Sequence, residues 1–190
     1  MTNFTILLDA LKYHMFDYLD IVSQHQFISV CKLFYINIHI TNLYDIPTKI
    51  SKKITQKIIY RYPYCKKLYA ANNNNIISVC HMLNIETLNA SGKCGITDDG
   101  LKNANKLLFL DVSMNTGVTT INHMAKLKKL IAAGYCGIND LGITNCTTLL
   151  HLNISANTRI TNINHMHKLQ HLIAQRSEEH TSELQSRLQI

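Results

Sequence analysis

The sequence predicts an α/β solenoid, and three observations along its 190 residues carry that prediction. Anchor leucines recur at Leu68, Leu88, Leu110, Leu130, Leu152 and Leu172, in alternating steps of 20 and 22 residues. A shift of 42 residues superposes Gly92, Cys94, Gly95, Ile96 and Asp98 on Gly134, Cys136, Gly137, Ile138 and Asp140. The same shift carries His81–Met82 onto His123–Met124 and then onto His165–Met166. A fixed period of this length means stacked identical units, each too small to bury its own apolar face.

Within one unit, Leu107, Leu110 and Val112 precede Asn115, and Val118 and Ile121 follow it. One period later Leu149, Leu152 and Ile154 precede Asn157, then Ile160 and Ile163. Leu110 and Val112 alternate with Phe109, Asp111 and Ser113, which predicts a short strand with one set in the core and the other toward solvent. The Asn amide can bond backbone groups that a chain leaving its ladder would strand unpaired. The intervening unit places Cys94 or Cys136 at that turn. Ile96, Thr97, Asp98, Gly100 and Leu101 then predict a helical return with Thr97 or Asp98 as its N-cap. The longer step is expected to carry this helix and the shorter step a tighter return. This is the leucine-rich-repeat pattern, and its cysteine unit resembles the cysteine-containing leucine-rich repeat of F-box proteins.

Ahead of the array, Leu8, Leu11, Met15 and Leu19 form one helical stripe. Asp20 or Ser23 can start a second helix, and residues 30–40 continue as a third apolar segment. Such a three-helix piece holds more apolar surface than it can hide on itself, so it requires a partner surface. The segment resembles an F-box through Leu7, Leu11, Met15, Phe16, Leu19, Val30, Cys31, Lys32 and Phe34. It departs at Leu8, where proline is usual, and at Ala10, where glutamate is usual. Losing the proline removes a rigid helix start. A plain helical cap for the first rung is the alternative.

The expected organisation is therefore an F-box-like module over 4–40, a connector over 41–63, leucine-rich repeats over 64–175 and a tail over 176–190. The connector is read as a helix from Thr48 to Arg61, ending before Pro63. Residues from Arg176 to Ser186 resemble the translation of a sequencing-library adapter, which implies a non-native tail on a truncated array. A natural polar tail is the alternative.

The formal charge is +7 at pH 7. Setting the tail aside removes two arginines and three glutamates and raises it to +8. Much of the excess lies in Lys49, Lys52, Lys53, Lys57, Arg61, Lys66 and Lys67. Ile50, Ile54 and Ile58 recur at i+4, so the cluster reads as the solvated face of the connecting helix. A patch for phosphate or an acidic protein is the alternative.

Several function classes are excluded on chemistry. No stretch approaches the roughly 20 apolar residues of a membrane span, and residues 1–8 lack a signal-peptide pattern. The six cysteines then point to a reducing compartment. Cys94 and Cys136 fall two rungs apart, about 10 Å, beyond the ~7 Å reach of a disulfide. His81, His123 and His165 share that spacing and cannot share a zinc ion at ~2 Å per ligand. They read as structural repeat elements, with Met in the core and His at the edge. No Cys-x-x-Cys pair, phosphate loop or nucleophile elbow occurs, so neither a metal, a cofactor nor a catalytic residue is expected.

What the F-box resemblance implies is a substrate-recognition subunit of a cullin-type ubiquitin ligase. Leu7, Leu11, Met15, Phe16, Leu19, Val30, Cys31 and Phe34 would then form or support the interface with a Skp-type adaptor. Strand alternation nominates Tyr69, Ala71, Asn89, Ser91, Phe109, Asp111, Ser113, Ile131, Ala133, His151, Asn153 and Ser155 as a target-facing concave surface. Phe109 and Ile131 are its candidate anchors. A protein-interaction solenoid with no ubiquitin role is the second reading, and nucleic-acid binding through Lys49–Lys67 the third. The richness in Asn, Ile and Lys suggests an AT-rich genome, and the chain resembles F-box and repeat proteins of large DNA viruses of protists. That implies a cytoplasmic location, in the host if the protein is viral.

Overall fold

The computed structural model describes Ser23, residues 40–45 and residues 48–175. Among the described residues seven short strands form one sheet: β1 Asn42–Leu43, β2 Lys67–Tyr69, β3 Thr87–Asn89, β4 Phe109–Asp111, β5 Lys129–Ile131, β6 His151–Asn153 and β7 His171–Ile173. They lie in chain order, each parallel to the next. The register places Leu43, Leu68, Leu88, Leu110, Leu130, Leu152 and Leu172 in a single column. This is a parallel-strand solenoid built on the leucine period.

Behind the sheet the same period lays down further apolar columns. Ala70, Ala90, Val112, Ala132 and Ile154 form one; Ile54, Ile76, Ile96, Val118, Ile138 and Ile160 another; all are buried. Ile59, Val79, Leu101, Ile121, Ile143 and Ile163 make a third, and Ile85, Leu107, Leu127 and Leu149 a fourth. Burying one such side chain contributes roughly 1.5–3 kcal/mol. A strand of three residues contributes little alone, so rung-on-rung contact holds the fold together.

The alternation of Asn and Cys turns has a hydrogen-bonding cause. Asn73, Asn115 and Asn157 are buried. The Asn115 amide donates to the carbonyls of Ala90 and Ile96 on the preceding rung, at 2.8 and 3.2 Å, and its oxygen accepts the Gly117 N–H at 2.8 Å. Asn157 repeats this with Ala132, Ile138 and Arg159, and Asn73 with Ser51, Ile54 and Asn75. Cysteine has no amide to offer. In its rungs the N–H groups of Gly95 and Gly137 donate to the carbonyls of Asn73 and Asn115, at 3.2 and 2.9 Å. Only glycine fits there: a Cβ on Gly95 would stand 2.6 Å from the Asn74 carbonyl oxygen.

The return segments differ from the sequence expectation in three ways. The helix expected over Thr48–Arg61 is two separate turns, α1 Thr48–Ser51 and α2 Gln56–Ile59. Its core residues are Ile54 and Ile59, while Ile58 is 38% exposed. That five-residue spacing is the spacing of Ile96 and Leu101, and of Ile138 and Ile143, so this segment is itself a repeat return. Among the described residues the first strand of the stack is β1 at Asn42, ahead of residue 64. Leu43 and Leu68 are 25 residues apart, which hides the first rung from a search at steps of 20 and 22.

The third difference concerns capping. The expected return helix is present as α3 Asp98–Leu101, and its counterpart one period on is a 3-10 turn at Leu141–Ile143. Thr97 occupies the N-cap in an extended conformation with no side-chain cap bond. Asp98 reaches to the next rung instead, accepting the N–H groups of Thr119 and Thr120 and the Thr119 hydroxyl at 2.8, 3.2 and 2.6 Å. Asp140 does the same with Thr161 and Asn162. Gln56, one period earlier, accepts the N–H groups of Ile77 and Ser78.

The three-helix module expected over residues 4–40 and the tail over 176–190 lie outside the described residues. Among the described residues no helix is long and apolar enough to cross a membrane.

Candidate binding face of the sheet

Strand alternation turns Leu68, Leu88, Leu110, Leu130 and Leu152 inward, each at most 2% exposed. Their neighbours form the outer rows. Tyr69, Ser91, Phe109, Asp111, Ser113, Ile131, Ala133, His151, Asn153 and Ser155 are all partly exposed. Two expected members are not: Ala71 and Asn89 are buried. Asn89 is fixed by its neighbours. Its oxygen accepts the Ser91 hydroxyl and N–H at 2.6 and 3.0 Å, and its amide donates to Asp111 at 3.2 Å.

Much of the polar row is committed to holding the chain as it leaves the strand. Asp111 and Asn153 accept the N–H groups of Ser113 and Ser155, two residues on, at 2.9 and 3.0 Å. Asn42 does the same for Tyr44 in β1 at 2.9 Å. These are Asx turns, in which a side chain replaces the ladder partner that a departing strand loses. The side chains left for a partner are therefore chiefly Tyr69, Phe109, Ile131 and His151.

The register adds residues that the sequence reading did not nominate. Lys67, Thr87, Phe109, Lys129, His151 and His171 stand in one row across β2 to β7. The Lys129 ammonium lies 5.4 Å from the Phe109 ring centroid, within cation–π range. The His151 and His171 rings stack with centroids 4.5 Å apart and planes 1° from parallel. In the adjoining row the Tyr44 and Tyr69 rings meet edge to face at 5.6 Å. Burial pushes the Tyr44 hydroxyl above its usual range, against the opposing effect of a hydrogen bond with Asn89. Lys67 and Lys129 were legible from period two alone, since each sits two residues before a nominated position. Tyr44 was not, because the first rung breaks the fixed step.

The other singled-out side chains serve the fold. Nε2 of His81, His123 and His165 donates to the carbonyls of Ile59, Leu101 and Ile143 at 2.9, 3.0 and 2.8 Å, one rung back. A carbonyl only accepts, so Nε2 carries the proton. Met82, Met124 and Met166 beside them are buried. Among the described residues no group of three or more His, Cys, Asp or Glu could hold a metal ion.

The described cysteines are all free. Burial pushes the thiols of Cys65 and Cys146 up to about 12 and that of Cys94 up to about 11, and raises Cys136 as well. Thiols held so far from ionisation are poor nucleophiles.

Of the basic cluster, Lys52, Lys53, Lys57, Arg61, Lys66 and Lys67 are exposed, and Lys66 pairs with Glu86 at 3.3 Å. Lys67 opens a strand and so joins the outer face. The expected adaptor-binding residues Leu7, Leu11, Met15, Phe16, Leu19, Val30, Cys31 and Phe34 lie outside the described residues.

No protein-family model matches this chain, and no curated protein does. Among solved structures it is similar to the crystal structure of an internalin from Listeria monocytogenes, with 18% sequence identity and a TM-score of 0.35. The match covers 64% of this chain and 50% of that one, so the chain spans about half the internalin's length.

Proposed function

We propose that the outer face of the sheet holds a target protein, and that the F-box-like segment at residues 4–40 ties the target to the Skp-type adaptor of a cullin ubiquitin ligase. The observation that carries the first half is the face itself. Seven parallel strands present fixed rows of side chains, with Tyr69, Phe109, Ile131 and His151 free of the hydrogen bonds that occupy Asn89 and Asp111. A rigid face with a few large apolar side chains among small polar ones is what a protein partner buries most effectively. The pattern from Leu7 to Phe34 supports the second half.

The mechanism is proximity. The chain supplies no covalent step and raises the effective concentration of target beside the ligase. A repeat array that binds a partner without any ubiquitin role is the rival reading.

The test is co-expression of the full chain with a eukaryotic Skp-type adaptor, followed by size-exclusion chromatography. A Leu11→Ala/Phe16→Ala/Val30→Ala variant runs alongside, its fold checked by circular dichroism. Co-elution lost in the folded variant is the expected outcome. A well-folded wild type that never co-elutes would leave the rival reading standing.

A further inference from the structure

Charge is distributed unevenly between the two sides of the sheet. Among the described residues Asp45, Asp98, Asp99, Asp111 and Asp140 end or follow their strands, and Glu86 alone precedes one. That glutamate is held by Lys66 at 3.3 Å. Among the described residues the side where the chain enters the strands, the leading edge, is otherwise free of acids and rich in lysine.

The lysines concentrate at β4 and β5. The N–H groups of Lys128 and Lys129 donate to the Leu108 carbonyl at 2.9 and 3.0 Å, setting the two rungs side by side. Lys106 and Lys126 hold matching positions, each three residues before the start of its strand, at Phe109 and Lys129. Leu108, whose carbonyl accepts both of those N–H groups, is 42% exposed and precedes Phe109 in the chain. Among the described residues the Lys106 ammonium donates to an amide oxygen, that of Asn84, at 2.7 Å. No ion pair with Lys126, Lys128 or Lys129 occurs among the described residues. The result is an exposed aliphatic centre flanked by uncompensated cations.

We infer that this part of the leading edge docks an acidic polypeptide segment carrying one large apolar side chain, which seats on Leu108 while its carboxylates meet Lys106, Lys126, Lys128 and Lys129. The inference deepens the reading of the array as a protein-binding surface and rests on it. Complementary charge steers such a segment in and fixes its placement, and the apolar contact supplies area that lysines alone lack. A single-stranded nucleic acid fits less well. It needs open aromatic faces for its bases, whereas the Phe109 ring is already met by Lys129. The edge also offers lysine point charges rather than the arginine forks that match phosphate.

Fluorescence anisotropy on the full chain tests this with three labelled probes: a short Glu-rich peptide with one central Leu, its Gln counterpart, and oligo-dT. The Glu peptide should bind, weaken as salt rises, and exceed the Gln peptide by about tenfold or more. Lys126→Glu/Lys128→Glu should lose about tenfold, Leu108→Ser should weaken binding, and the exposed control Lys52→Glu/Lys53→Glu should not. Circular dichroism confirms that each variant is folded. Tighter binding of oligo-dT than of the Glu peptide overturns the inference, as does a Glu-peptide affinity indifferent to Lys126→Glu/Lys128→Glu. If the peptide fails while target capture through Phe109 and Ile131 stands, this inference alone falls. If the peptide binds while Phe109→Ala/Ile131→Ala leaves target capture intact, the reading of the outer face falls instead.

Discussion

One backbone position per rung, four residues after the anchor leucine, takes a left-handed conformation. It is occupied by Asn72, Gly92, Met114, Gly134 and Ala156, with φ between 54° and 68°. Glycine adopts it freely, and a side chain with a Cβ is strained there by roughly 1–2 kcal/mol. Ala156→Gly should therefore stabilise the protein by about 0.5–1 kcal/mol after the entropy of the freer unfolded chain is deducted, measured by urea unfolding. An unchanged or lower midpoint would refute the strain. The buried asparagines are the opposite case. Asn115→Leu leaves the Ala90 and Ile96 carbonyls without a donor and should cost about 1–3 kcal/mol for each group. The cysteines set an alkaline limit. An unfolded thiol ionises near 8.5, whereas Cys65 and Cys146 are held up to about 12. Their stabilising contribution is thus complete below about pH 8.5 and is lost as pH climbs toward 12. Tm should fall across that window, and a flat profile would contradict the burial.

Among the elements, the strands carry the candidate site and the turns carry the specificity of stacking. Phe109 and Ile131 point away from the core while Leu110 and Leu130 fill it. Phe109→Ala/Ile131→Ala should consequently keep a native circular dichroism spectrum and lose target capture. An unfolded double variant would mean that the outward assignment is wrong. The strand alternation, the Asn turn and the expected α3 were legible in the sequence because each follows from a local spacing. The cap at Asp98 was not. A carboxylate beside a helix start reads locally as a cap, but the competing backbone N–H groups of Thr119 and Thr120 come from 21 and 22 residues away. The same holds for α1 and α2, where an i+4 run of isoleucines imitated a helix that the stacked neighbour splits in two.

For the molecule as a whole, stability should follow rung coupling. Each interior rung is sandwiched by two others through equivalent columns, so Leu110→Ala should cost on the order of 2–5 kcal/mol and uncouple the rungs on either side. Hydrogen exchange should show protection lost in the rungs on both sides of β4, and a strictly local loss would argue against a coupled stack. In the last described strand Ile173 is 49% exposed where Ile131 is only partly so. By itself the sequence determined the period, the inward leucines, the Asn turns and most of the outer face, because a repeat writes the same local physics several times over. Only the tertiary structure decided that the rung at Asn42 belongs to the stack, that Asn89 is buried, and that lysines from the adjacent rungs of β4 and β5, in no sequence motif, come together beside Leu108. Those outcomes depend on register between rungs some twenty residues apart, and register is a property of the assembled sheet.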